Sequence, residues 1–197
     1  LIAVAERIAP GAGPREAAAV LDADPAYQVH GHDGLQAWMQ GLSDRAVEEL
    51  GRTHFDIAEP LRELRCGIAP PGGGVGAYYS GPNGDFSRPG QMWFSVEAGR
   101  EDFSIWRDIS VVYHEGVPGH HLQIATATYQ RDELNDFRRL LASTSGHAEG
   151  WALYAERLMR ELGYLDSDAA LLGMLDGQLL RAARVIVEID MHLELTI

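Results

Sequence analysis

One cysteine, Cys66, stands in 197 residues, which excludes an internal disulfide and any cysteine-rich zinc module. A lone thiol in a segment that alternates like a strand reads as a small buried hydrophobe. Basic charge is also short: 16 Lys and Arg face 29 Asp and Glu, for a formal net charge of −13. That balance argues against nucleic-acid binding, which needs basic patches to displace counterions. It argues equally against docking on an anionic membrane surface. No apolar run nears the ~18 residues that cross a bilayer, and no basic-then-apolar leader opens the chain. The chain starts at Leu1 rather than Met and stops within a helical pattern at Ile197. It is therefore read as a fragment of a longer protein, and its localisation stays open.

What remains is ordinary for a soluble globular domain: 46% hydrophobic and 23% charged residues, enough for one real core. Residues 1–53 read as an N-terminal helical segment, "LIAVAERIA", "PREAAAVLDAD" and "DGLQAWMQGLSDRAVEELG". In the last, Leu35, Trp38, Met39, Leu42, Ala46 and Leu50 recur at helical spacing, with Asp33 as the expected cap. His30 and His32 fall in a Gly-flanked turn and are expected in solvent. From residue 54 the pattern changes: "LRELRCGIAP", "AYYSGP" and "QMWFSV" read as two or three strands between turns rich in Gly, Pro and Asn. "PPGGGVG" is one of those turns. After Ser104 the pattern is helical to the end, with "RDELNDFRRLLAST" as a charged exposed helix. The chain is thus expected to be α+β, mostly α-helical, with a small β region before the helix that carries its histidines.

That helix holds "YHEGVPGHHLQ", residues 113–123, three histidines and a glutamate around a Pro-Gly pair. It nearly spells HExxH, whose two histidines share a metal because residues four apart lie about 40° from each other and about 6 Å along the axis. Here Pro118 occupies the expected second position. On a straight helix His120 would be about 120° off the His114 face, and His121 would return to it about 10 Å away. Pro118 cannot donate to the carbonyl of His114 and crowds that turn, while Gly119 permits an irregular backbone. The helix is therefore expected to break or bulge after Val117 and bring His120 back over His114; the alternative reading is a polar helix end with ordinary surface or core histidines.

Catalytic zinc commonly takes two histidines and one carboxylate, leaving a position for water. A glutamate beside the first histidine, here Glu115, can act as general base. The downstream segment "TSGHAEGWALYAE" supplies Glu149 as the carboxylate, with Gly146 and Gly150 expected to allow close helix packing. Glu156, seven residues on and nearly on the same face, can hold a ligand histidine from behind.

Three motifs in order, "HEGVPGHHLQ", "EGWALYAE" and "RAARVIVEIDMH", resemble those of a bacterial family catalogued as domain of unknown function 885. That family is grouped with the zincin-like metallopeptidases of the gluzincin type. The resemblance spans roughly residues 54–192, including "AYYSGP" and "SRPGQMWFSV" ahead of the metal helix. It implies a zincin-like catalytic region over 54–197, with His114, His120 and Glu149 as zinc ligands and Glu115 as the catalytic carboxylate. His121 ranks below His120, because the family varies there. Arg184 and His192 match the last motif, whereas Glu188 stands where an Asp is expected and Asp190 where a Gly is usual.

The implied function is a zinc metallopeptidase acting on a peptide or small amide. Its water is activated by the metal and by Glu115, and His192, Arg184 or Tyr154 are candidates to support the oxyanion. An extended substrate would lie along an edge strand, either "QMWFSV" or "GAYYS". Two alternatives stand beside it: a metal-dependent amidase or esterase on a non-peptide substrate, and a non-catalytic binding module retaining the fold. An intact Glu115 argues against the module.

Overall fold

The computed structural model describes residues 1–70 and 76–194. The expected turn at 70–76 falls mostly outside them, as does the end of the chain at Ile197. Two short helices, α1 (Ile2–Ile8) and α2 (Pro14–Ala23), lead to strand β1 (Gln28–His30) and the long α3 (His32–Thr53). Strands β2 (Leu64–Ile68), β3 (Ala77–Ser80), β4 (Gly90–Phe94) and β5 (Asp102–Ser104) follow. The rest is helical: α4 (Ile109–Glu115), α5 (His120–Tyr129), α6 (Asp136–Leu140), α7 (Ser145–Glu161) and α8 (Asp168–Leu193). The protein is α+β and mostly helical.

The three strands read from residues 64–96 form one sheet of order β2-β4-β3. Parallel pairing sets Cys66 opposite Met92, and antiparallel pairing sets Tyr79 opposite the same Met92. β4 is central and β3 is an edge. Cys66 is buried in β2, where burial pushes its thiol up to about 11. A second pair, β1 with β5, was not legible in the sequence. It sets Val29 opposite Phe103 and places His30 on a strand, bonded to Asp102 at 2.8 Å, rather than in a turn. His32 opens α3, and the residue that caps α3 is Gly31, not Asp33.

α3 is the spine of the molecule. Its first half packs Leu35 and Met39 against Leu64, Met92, Phe103 and Val112. Its second half packs Ala46, Val47 and Leu50 against Tyr113, Leu122, Met159 and Leu165. Each fully buried Leu, Met or Val among them contributes roughly 1.5–3 kcal/mol. A third cluster joins Val4, Ala5, Ala17 and Leu21 of the first helices to Trp106 and Leu172. The N-terminal segment therefore shares every core with the later region.

α8 buries apolar side chains in its first half, where Ala169, Ala170, Leu172 and Met174 are buried. Beyond Gln178 it runs over the surface, with Leu180, Ile186, Ile189 and Met191 exposed. The charged segment at 131–144 is helical over Asp136–Leu140 alone. No helix among the described residues is long and apolar enough to cross a membrane.

Candidate metal centre

α4 stops at Glu115, two residues before the expected break. The last helical bond runs from the Gly116 N–H to the Val112 carbonyl at 2.8 Å. The Gly119 N–H then takes the Tyr113 carbonyl at 3.1 Å, the acceptor that Val117 would use in a continuing helix. Pro118, joined to Val117 by a cis peptide bond, offers no donor to the His114 carbonyl. A Cβ on Gly119 would overlap the carbonyl oxygen of His114, so this close approach needs glycine. α5 restarts at His120.

The turn replaces helical periodicity with a fold-back. The rings of His114 and His120 meet edge to face at 4.9 Å between centroids. Glu149 reaches them from α7, its Oε2 lying 3.3 Å from His114 Nε2 and its Oε1 3.5 Å from His120 Nε2. One atom from each of the three falls within 4.8 Å of the others. Charge-assisted hydrogen bonds are shorter, about 2.7–2.9 Å. A tetrahedral centre with ligand bonds of ~2.0–2.1 Å instead has edges of about 3.3–3.4 Å. The approaches of the two Glu149 oxygens, 3.3 and 3.5 Å, lie near that edge length, and with one donor atom from each residue within 4.8 Å of the others the triad can close on a metal ion.

Behind the triad, His114 Nδ1 donates to Glu156 Oε1 at 2.8 Å, and Glu156 is fully buried on α7. This bond keeps the proton on Nδ1 and turns the Nε2 lone pair toward the centre. Burial disfavours the His114 imidazolium, but the Glu156 bond and the Glu115 charge outweigh it and raise its pKa. Burial and the neighbouring His114 lower that of His120, whose Nδ1 is buried with no hydrogen-bond partner among the described residues. Glu115, 6% exposed, is pushed up to about 7 by burial against the opposing pull of His114.

His121 belongs to the scaffold. Its Nε2 donates to the Leu61 carbonyl at 2.8 Å, and its Nδ1 accepts from the Tyr79 hydroxyl at 2.9 Å. A Cβ on Gly90 would sit 2.5 Å from that Nδ1, so glycine at the head of β4 leaves room for the contact.

The triad opens into a cleft of about 550 Å³ lined also by Glu115, Arg181 and Arg184, by Gly76 and by Ala77, Tyr78 and Tyr79 of β3. Of the two strands considered for substrate, the edge strand is therefore the one at the cleft. Tyr154 and His192 are not among its lining residues. Tyr154 is five residues past Glu149, about 140° around α7, and lies half-exposed against Trp151 with ring centroids 5.8 Å apart. His192, eight residues past Arg184, is about 12 Å farther along α8 and bonds the Glu188 carbonyl. Gly146 and Gly150 have no close neighbour, so they do not serve close packing as expected.

Two residues escaped the sequence reading. Trp151 Nε1 donates to the Pro118 carbonyl at 2.8 Å, fastening α7 to the fold-back turn. Arg181 Nη2 pairs with Glu156 Oε1 at 3.0 Å. Both lie inside quoted motifs, Trp151 in "EGWALYAE" and Arg181 at the head of "RAARVIVEIDMH", and that position was their only signal.

The chain belongs to the family described as bacterial protein of unknown function (DUF885), whose model matches residues 1–196. No curated protein matches it. It is similar in structure to a crystal structure described as that of a "putative lipoprotein" from Colwellia psychrerythraea, with a TM-score of 0.76 and 25% identity. The similarity covers 96% of this chain and 34% of that one, so this chain spans about a third of its neighbour's length.

Proposed function

We propose that this protein is a zinc-dependent hydrolase of the zincin-like, gluzincin type that cleaves peptide bonds. The observation that carries the reading is the convergence of His114, His120 and Glu149, one donor atom of each within 4.8 Å of the others, with a buried carboxylate, Glu115, beside them. Two histidines and one carboxylate are a common catalytic zinc set that leaves a place for water, whereas structural zinc sites use four protein ligands. Zinc held there would supply a Lewis acid toward a substrate carbonyl and the attacking water.

The chain's own residues account for the remaining roles. Glu156 fixes the tautomer and orientation of His114, and Arg181 balances the Glu156 charge. Glu115 takes the proton of the attacking water and passes it to the leaving amine. The exposed edge of β3 offers backbone groups to an extended peptide, which would join the sheet beside the triad.

Elemental analysis of the purified protein after zinc is supplied, followed by a peptide-library digest, tests this reading. About one zinc per chain is expected, with peptide cleavage. Glu115→Gln should keep the zinc and lower the rate by about 10²–10⁴-fold, the share typical of a general base. No stoichiometric zinc overturns the reading. Zinc with hydrolysis only of esters or non-peptide amides would move the protein to the amidase or esterase class. Zinc with no hydrolysis of any such substrate would leave the binding module.

A further inference from the structure

We infer that Arg184 binds a carboxylate on the substrate, so that the cleft selects peptides by an acidic end, either the free C-terminus or an acidic side chain. This rests on the reading of the cleft as a peptide site. Every fixed side-chain cation in the chain is an arginine, because it contains no lysine. Two of them, Arg181 and Arg184, line the cleft with the metal triad. They stand three residues apart on α8 and so share a face of the helix.

Their situations differ. Arg181 already pairs with Glu156 at 3.0 Å. Arg184 is exposed and has no ion-pair partner among the described residues. A carboxylate was available to it one helical turn on, at Glu188, in the spacing that normally pairs. Glu188 Oε2 instead lies 3.4 Å from His192 Nδ1. Arg184 is thus left at the cleft with its fork of donors uncommitted.

The charge of the cleft agrees. A divalent ion would be offset by Glu149 and Glu115, and Arg181 is offset by Glu156. Arg184 is the charge left over, and an anionic group on the substrate would complete the balance. A planar guanidinium takes a carboxylate through two parallel hydrogen bonds, which gives direction as well as charge. The cleft volume of about 550 Å³ falls in the range of small-ligand sites. That suits the end of a peptide better than a long stretch of one. With β3 holding the backbone and Arg184 the carboxylate, cleavage would fall near the anionic end.

The test reads binding rather than turnover, so it stands apart from the hydrolase assay. The protein is titrated by calorimetry with N-acetyl-Ala-Ala-Ala as the free acid, the same peptide as its C-terminal amide, and N-acetyl-Ala-Ala-Glu amide. The zinc-loaded Glu115→Gln variant prevents turnover during the measurement. The free acid or the glutamate peptide, or both, should bind at least about tenfold tighter than the neutral amide, as expected for a charged hydrogen-bonded pair. Which one does so identifies the source of the carboxylate. Arg184→Gln should bring all three affinities together, and Arg184→Lys should restore part of the difference. Equal binding of the three by the parent protein, no binding of any, or a preference that survives Arg184→Gln would each overturn the inference. A protein that took up no zinc but still preferred the acid would sink the hydrolase reading and leave this one standing.

Discussion

His114 and Glu156 share a 2.8 Å hydrogen bond across 42 residues of sequence, made by a ring nitrogen that faces away from the centre. A carboxylate in that position makes the nitrogen facing the centre, Nε2, a better ligand for a metal and stops the ring from turning. Glu156→Gln keeps the size of the side chain but loses the charge. Zinc affinity, measured by competition with a chromophoric chelator, should fall by about 10- to 100-fold, while the fold survives.

The adjacent histidines should separate cleanly. His120→Ala removes a ligand and should take the zinc content from about one per chain to near zero. His121→Ala should keep the zinc. It strands the Leu61 carbonyl and the Tyr79 hydroxyl, both bonded to the ring in the parent, and should cost about 2–4 kcal/mol in denaturant unfolding. Zinc lost only from the His121 variant would reverse the assignment.

Gly119 is the tightest point of the turn. Gly119→Ala places a methyl group against the His114 carbonyl, and the chain must shift to admit it. We expect a loss of about 1–3 kcal/mol, the usual cost of overpacking, together with weaker zinc binding because the two rings move apart. A variant with unchanged unfolding and zinc affinity would show that the turn has slack.

Asp108, away from the centre, should leave a mark on stability against pH. Burial pushes its carboxyl up to about 6, against the pull of Arg100 and Arg107. Because the folded pKa lies above the unfolded one, its contribution is complete below pH ~4 and fades as pH rises to about 6. Asp108→Asn should remove that slope and gain on the order of 1 kcal/mol over the parent above pH 6. Parallel stability curves for the two proteins between pH 4 and 7 would refute the burial effect.

The elements were largely legible because their signals are local. α3 follows from Leu35, Met39, Ala46 and Leu50 at helical spacing, and β2, β3 and β4 lie where the alternation placed them. The pairing of β1 with β5 was hidden, since three-residue strands 70 residues apart carry no periodicity of their own. The break in the metal helix was visible in Pro118 and Gly119, but its place was not. It depends on which donor takes the Tyr113 carbonyl, and that was Gly119. Motif and chemistry pointed to Tyr154 and His192, but rotation around α7 keeps Tyr154, and distance along α8 keeps His192, out of the residues that line the cleft.

The sequence by itself determined the donors. Histidine, glutamate and a Pro-Gly interruption in one short segment, with Glu149 and Glu156 on one helical face, pointed to a candidate metal site, because spacing and side-chain type are written locally. Tertiary structure decided how those donors are used. Only packing shows that Tyr79 and the Leu61 carbonyl occupy His121 and that Trp151 fastens the turn. The same holds for β3 as an edge strand at the cleft and for Arg184, which has no ion-pair partner there among the described residues. Those facts rest on distances between segments far apart in the chain, and no local period encodes them.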